Sequence, residues 1–240
     1  PTAMIYHNIF EETDAEFMWL SGITICDGMA ADFAECKEHI VPAHPFSDDI
    51  ISVSRKLAER FCCDTEHIHQ VEIAALKLLD ALRKANHLTK KDRLLLQIAA
   101  ILHNCGSFLN LNDIGENSYK IVTSTEIIGL SHQERMIVAY VIRYTTGDFP
   151  EYSEIKNEFS REEYIKIAKL NAILCLADAM DRSHQQKFTN FTVRKRGYDL
   201  TITGQTLYDI TLEHGMFIQK SPFFEEAFGI RPVLRQKKCL

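Results

Sequence analysis

The stretch Leu94–Thr145 decides the fold: LLLQIAAILHNCGSFLNLNDIGENSYKIVTSTEIIGLSHQERMIVAYVIRYT. It reads as an apolar helix, a polar loop with glycine, a short helix and a second apolar helix. Ser131, followed three residues later by Glu134, forms the capping-box pattern that starts the second apolar helix. Apolar residues at helical spacing predict a buried face on the first helix: Leu94, Leu95, Ile98, Ala99 and Leu102.

Helical patterns continue on both sides of this stretch, so the sequence predicts a helical bundle. Asp64 or Thr65 is suited to cap one of these helices, and Ser160 with Glu163 is a second capping box. The predicted helices are Ile50–Phe61, Glu66–Ala85, Lys90–Leu102, Gln133–Tyr144 and Glu162–Met180.

After Ser183 the apolar spacing changes from helical to alternating, which predicts strands. Gly197 separates the first two strands, and Ser221-Pro222 is typical of the start of a short helix that runs through Phe228. The segment Asp209–Glu213 follows Gly204. The predicted strands are Phe188–Val193, Asp199–Thr203 and Arg231–Arg235.

The first 45 residues predict a helix, a short strand at Ile23–Ile25 and a helix opened by Asp27-Gly28 that ends near Pro42. A lone strand cannot form a sheet of its own, so this segment resembles the end of another domain. Pro42–Pro45 reads as a linker. The sequence therefore predicts a mainly α protein in three parts, residues 1–45, 46–187 and 188–240.

Composition favours a folded protein of the cytoplasm. The 240 residues are 46% hydrophobic and 25% charged, which is enough to bury a core. No run reaches the ~18 apolar residues that a membrane span needs, and no secretion signal is visible. The seven cysteines show no C-x-x-C spacing, which predicts reduced, packed thiols and no structural zinc site.

The formal charge of −6 argues against a general nucleic-acid-binding role. The charge is unevenly distributed, because the first fifty residues are acidic and two segments near the end are basic. Such basic segments form either a solvated face or a local anion site, and both interpretations stay open. The basic residues are Arg194, Lys195, Arg196, Arg231, Arg235, Lys237 and Lys238.

His67, His103 and Asp178 lie on or beside apolar helices, where histidine and aspartate could hold a divalent metal ion. A histidine on such a face is more often a buried, hydrogen-bonded core residue. The second interpretation is preferred on residue type alone, with Asn104 as a candidate hydrogen-bond partner of His103.

The order of motifs along the chain resembles the C-terminal part of the exopolyphosphatase / guanosine pentaphosphate phosphohydrolase (Ppx/GppA) family. The resemblance implies an HD-like helical bundle, preceded by the tail of an actin-like (ASKHA) phosphatase domain and followed by a small α/β unit. It spans almost the whole chain. The motifs that carry it are SGITICDGM, DTEHIHQV, LLLQIAAILHNCGSFLN, NSYKIVTSTEIIGLSHQERMIVAYVIRY, LADAMDRSH and LEHGMFIQKSPFFEEAFGIRPVL.

The departures from the family pattern concern the metal ligands. Asn104 stands where the family has Asp, Ile114–Asn117 replaces a His-His-Lys-His run, and Thr145 replaces His. Cys26 replaces the Arg of an LRDG-type motif. The loss of a bridging carboxylate and of several imidazoles predicts no metal site, no cofactor and no catalytic residue in this chain.

The resemblance implies a supporting role, which is to bind polyphosphate or guanosine polyphosphate and to form a homodimer, with no membrane and no specific nucleic acid as partner. The candidate polyphosphate-binding residues flank the best-matched motifs: Arg143, Arg182, His184 and Lys187. Each could equally form a surface salt bridge. Two alternatives stay open, a metal-dependent HD-type phosphohydrolase and a regulatory or scaffolding module that binds no phosphate.

Overall fold

The computed structural model describes residues 2–13, 17, 22–36, 46–188 and 190–237. The chain divides into two compact units, residues 1–45 and residues 46–240. The mainly α class is confirmed, and a small three-stranded sheet lies towards the C-terminal end. The helical bundle and this sheet belong to the same unit.

The described part of residues 1–45 contains two helices, α1 at Thr2–Glu11 and α2 at Ile25–Cys36. The strand predicted at Ile23–Ile25 is wrong, because residues 22–24 are irregular and Ile25 already begins a helix. The backbone N–H and the hydroxyl of Thr24 both donate to the Asp27 carboxylate, at 2.8 and 2.7 Å, which favours a helix start here. The predicted end near Pro42 and the linker lie outside the described residues.

Helices dominate the second unit. None of the helices in the described ranges is both long enough and apolar enough to cross a membrane. A short 3-10 turn, Cys105–Phe108, follows the third helix of this unit. The helices up to the sheet are α3 Phe46–Arg60, α4 Thr65–Asn86, α5 Lys90–Leu102, α6 Ile114–Ser124, α7 His132–Arg143, α8 Tyr152–Ile155 and α9 Arg161–Ala179.

Capping side chains start several of these helices at the predicted places. The Asp64 carboxylate accepts from the N–H groups of Glu66 and His67 at the start of α4. Capping boxes at Ser131 and Ser160 begin α7 and α9. The predicted boundaries of these three helices agree with the structure to within one residue, since they depend on local contacts.

Helix α9 is the centre of the bundle. From Leu170 to Ala179 its residues are buried on nearly every side, as expected for a helix that is surrounded by others. It packs against α4, α5 and α7, whose apolar faces form one continuous core with it. The last turn of α9, which carries Asp178, therefore lies beside the start of α4 and the end of α5, where His67 and His103 are found.

The sheet has the order β1-β2-β3, with β1 at Asn190–Arg196, β2 at Asp199–Gln205 and β3 at Arg231–Lys237. β1 and β2 form an antiparallel hairpin through Gly197, whose φ of 57° suits glycine. β2 and β3 are parallel, so they need a crossover. Helix α10 supplies it and packs against both α9 and β3.

Helix α10 runs from Thr211 to Phe228, so the prediction that a short helix begins at Ser221 is wrong. Pro222 lies inside the helix, although proline usually interrupts one. The carbonyl that loses its N–H partner belongs to Ile218, which is 56% exposed and open to water. The Ser221 hydroxyl also binds the Phe217 carbonyl at 2.7 Å.

Three of the five described free cysteine thiols are buried, at Cys63, Cys105 and Cys175, and those of Cys26 and Cys62 are exposed. The Cys63 and Cys105 sulfurs are 3.4 Å apart. Packed thiols were predicted for most of the cysteines, and these three agree with that prediction.

Candidate functional site

The histidine–aspartate cluster consists of His67, His103 and Asp178, which three different helices bring together. His67 lies in the first turn of α4, His103 directly follows α5, and Asp178 is in the last turn of α9. The two Nε2 atoms are 3.3 Å apart. The Asp178 Oδ1 atom is 3.4 Å from His67 Nε2 and 3.7 Å from His103 Nε2. Both imidazoles are buried, with exposed fractions of 0% and 4%.

The outer nitrogens of both imidazoles are held by other groups. His67 Nδ1 is 2.9 Å from Asp181 Oδ2, and His103 Nδ1 is 2.7 Å from the Ala100 carbonyl oxygen. Asn104, the partner considered from the sequence, is not the one that binds this ring nitrogen. These contacts turn both Nε2 atoms towards Asp178, and contacts of this kind orient histidine ligands in metal sites.

The loop that follows α9 covers the cluster. The Asp181 carboxylate accepts from the backbone N–H and the side-chain amide of Gln186, at 2.7 and 3.2 Å. The His184 ring stacks on His67 at 3.6 Å, and its Nδ1 lies 3.0 Å from Asp64. His184 and Gln186 adopt φ values of 54° and 45°, so the loop holds a strained backbone that these contacts stabilise.

Charge within the cluster is balanced by hydrogen bonds. Burial alone would lower the pKa of His67, but the hydrogen bonds to Asp178 and Asp181 outweigh it and raise that pKa to about 9. Burial likewise acts to raise the pKa of Asp178, and the two histidines hold it well below its usual range. His67 therefore holds its proton at neutral pH and pairs with both the Asp178 and the Asp181 carboxylates.

The same three atoms also have the geometry of a single-metal site. They lie within 4.8 Å of one another. A tetrahedral ion with bonds of about 2.0–2.2 Å holds its ligand atoms roughly 3.3–3.6 Å apart, close to the separations found here. Two imidazole nitrogens and one carboxylate oxygen suit a divalent transition metal. The residues present therefore fit one ion.

The positions at which this chain departs from the family pattern have other roles. Glu116, in the first turn of α6, binds Arg143 at 2.7 Å. Thr145 is buried and donates to the Ile142 carbonyl at 2.9 Å. Gly106 lies against the backbone of α6, where its N–H donates to the Ser118 hydroxyl at 2.7 Å. Neither Glu116 nor Thr145 belongs to the histidine–aspartate cluster.

Each predicted phosphate-binding side chain already has a carboxylate partner. Arg182 lies 3.6 Å from Asp178, within the cluster, and His184 binds Asp64. Lys187 binds Glu213 at 3.1 Å, and their side chains are only 12% and 0% exposed. A phosphate group would have to displace these carboxylates to be bound by these residues.

Three of these four candidates lie together in the loop after α9, while Arg143 is at the end of α7. The Arg143 guanidinium lies over the Tyr119 ring at 4.5 Å and binds Glu116. Sequence reasoning missed the carboxylates that hold the loop. The signal available for Asp181 was its place in the LADAMDRSH motif, three residues after Asp178. Glu213 carried no such signal.

Comparison with known proteins identifies the family of this chain. A family model described as Ppx/GppA phosphatase, domain III, matches residues 51–220. The guanosine-5'-triphosphate,3'-diphosphate pyrophosphatase of Photobacterium profundum is 22% identical over 209 residues. That match covers 86% of this chain and 40% of the relative, so the chain spans less than half of the relative's length. Since the family model matches well over half of the chain, the chain belongs to the Ppx/GppA phosphatase family.

Proposed function

We propose that this chain is the accessory region of a phosphatase that acts on guanosine polyphosphate or polyphosphate. It holds the phosphate chain and has no catalytic centre of its own. The activity of the relative, a guanosine polyphosphate pyrophosphatase, supports the substrate class. In this proposal residues 1–45 are the terminal segment of an actin-like phosphatase domain, and the protein is a cytoplasmic homodimer.

The closed geometry of the histidine–aspartate cluster carries the proposal. A hydrolytic centre has to admit both a polyanionic substrate and a water molecule, and a catalytic metal keeps one coordination position open. Here both imidazoles are buried, His184 stacks on His67, and Arg182 lies beside Asp178. The cluster is suited to joining α4, α5 and α9, and less suited to turnover.

A phosphate-release assay tests this proposal. Purified residues 1–240 are expected to release no phosphate from guanosine pentaphosphate or long-chain polyphosphate, because His184 and Arg182 close the histidine–aspartate cluster to a polyanionic substrate. The assay is run with Mg²⁺, Mn²⁺ and Zn²⁺ in turn. Turnover that is present in the wild type and absent in Asp178→Ala would contradict the proposal.

The second candidate function is a metal-dependent phosphohydrolase of the HD type. One observation favours it, the tetrahedral spacing of His67 Nε2, His103 Nε2 and Asp178 Oδ1. Elemental analysis distinguishes the two functions. The first predicts no stoichiometric Mn, Fe or Zn in the purified protein, whereas the second predicts about one equivalent that is lost in His103→Ala.

A further inference from the structure

The outer face of the C-terminal sheet is polar and cationic. Alternate residues of each strand are buried against the helices, among them Phe191, Leu200, Ile202 and Leu234. The other residues face outwards and lie side by side in cross-strand rows. The rows are Asn190, Gln205 and Lys237; Thr192, Thr203 and Arg235; Arg194, Thr201 and Val233; Arg196, Asp199 and Arg231.

Most of the cations on this outer sheet face have no carboxylate partner. Arg194, Arg196, Arg235 and Lys237 are exposed and form no ion pair with any described residue. The outward carboxylate, Asp199, is already bound by Arg231 at 2.9 Å. This arrangement is the opposite of that at the loop after α9, where each cation is paired. Positive charge is therefore free for a ligand at the sheet.

The outer sheet face is also concave. A cleft of about 420 Å³ is lined by residues of all three strands, and hydroxyl and amide side chains lie beside Arg194 and Lys237 there. Its lining consists of Asn190, Phe191, Thr192, Arg194, Thr203, Gln205 and Lys237, of which Phe191 is buried and only 6% exposed. Hydroxyl and amide groups donate hydrogen bonds to phosphate oxygens, and arginine and lysine supply charge. The cleft thus combines the two kinds of donor that an oligophosphate needs.

We infer that this outer sheet face binds a linear polyphosphate chain, an inference that rests on the proposed function and locates it. Strands lie about 4.8 Å apart and residues rise about 3.3 Å, so the unpaired cations extend over ~10–20 Å. That spread suits a chain of phosphates better than a single one. The outward rows contain no aromatic residue on which a nucleic-acid base could stack. An extended, unstacked phosphate chain fits this surface best.

The test compares matched pairs of arginine substitutions in the full chain. Arg194→Gln/Arg235→Gln removes two sheet cations, and Arg143→Gln/Arg182→Gln removes two paired ones. Arg60→Gln/Arg161→Gln, at two exposed helix positions, controls for the change in net charge. Long-chain polyphosphate is titrated into each at low and moderate salt, with orthophosphate and a single-stranded oligonucleotide as comparison probes. Thermal unfolding verifies that all variants fold.

The Arg194→Gln/Arg235→Gln variant, called the sheet pair, is expected to bind polyphosphate about ten-fold more weakly than the wild type at low salt. The other two variants should change little. The slope of log affinity against log salt concentration should become less steep by roughly 1.4, because two phosphate contacts are lost. If the wild type binds polyphosphate and the sheet pair binds it with the same affinity, the inference is overturned and the proposed function stands. Absence of wild-type binding overturns both. If the oligonucleotide binds the wild type as tightly as polyphosphate does, and the sheet pair weakens both equally, the choice of polyphosphate as the ligand is overturned.

Discussion

The Lys187→Met substitution is expected to lower the free energy of unfolding by about 3–5 kcal/mol. Lys187 is the cation that balances Glu213, whose side chain is fully buried at the start of α10. Burial would raise the pKa of Glu213, and hydrogen bonds from Ser183 and Lys187 hold it below its usual range. Loss of the lysine leaves a buried carboxylate that keeps the Ser183 hydroxyl but has no balancing charge, so the attachment of the loop after α9 to α10 is weakened.

Urea unfolding measures this effect, and its pH dependence identifies the cause. Without Lys187 the folded-state pKa of Glu213 rises above that of the unfolded chain, so the cost is largest above the raised pKa and shrinks as the pH falls towards about 4–5, where an unfolded Glu is protonated. Below that range the wild type also loses the stability that its lowered Glu213 pKa provides, and the difference between the two proteins disappears. Lys187→Met/Glu213→Leu is the control, since it leaves no unpaired charge and should recover most of the stability. A single variant that costs under about 1 kcal/mol would contradict the buried pair and favour Lys187 as a free ligand group.

Gly106→Ala is expected to destabilise the protein by about 3 kcal/mol or more. A Cβ atom at Gly106 would lie 2.2 Å from the Ile114 carbonyl oxygen and 2.5 Å from the Ser118 nitrogen. Both are backbone atoms, so no side chain can move aside and α6 itself has to shift. The shift would also break the Ser118 hydroxyl bridge between Gly106 and the His103 carbonyl.

Gly147→Ala is the matched control, because a Cβ there meets no atom within 4 Å. Its free energy of unfolding should stay within about 0.5 kcal/mol of the wild type.

Thermal unfolding measures the difference between the two variants. The midpoint of thermal unfolding should fall by about 6–12 °C for Gly106→Ala, given a chain of this size. Equal stability of the two variants would show that α6 does not pack against Gly106.

The helix starts could be predicted because their signals are local. Ser131 with Glu134 and Ser160 with Glu163 each complete their contacts within one turn, whatever the rest of the chain does. The error at Ile23–Ile25 arose from β-branched residues, which the Thr24–Asp27 cap overrides. The error at Ser221 came from treating Pro222 as a helix start, whereas Pro222 lies inside α10, one turn after the exposed residue Ile218.

The site was harder to predict because its contacts join distant parts of the chain. The sequence identified His67, His103 and Asp178 as the remaining motif positions, and the structure brings them together. Asp64 and His184, by contrast, are 120 residues apart. A positive side chain is visible in a sequence, but whether a carboxylate neutralises it is decided by packing. Similarly, the cationic rows of the sheet depend on the parallel register of β2 and β3.

A titration of long-chain polyphosphate into the wild-type chain tests most directly whether this region holds a phosphate chain. We predict binding at low salt that weakens about fifty-fold for a four-fold increase in salt, as expected for roughly four phosphate contacts. The net charge of −6 would not prevent this, since a local cationic face attracts a polyanion over short distances. No binding at low salt, or an affinity that does not change with salt, would contradict the proposed function.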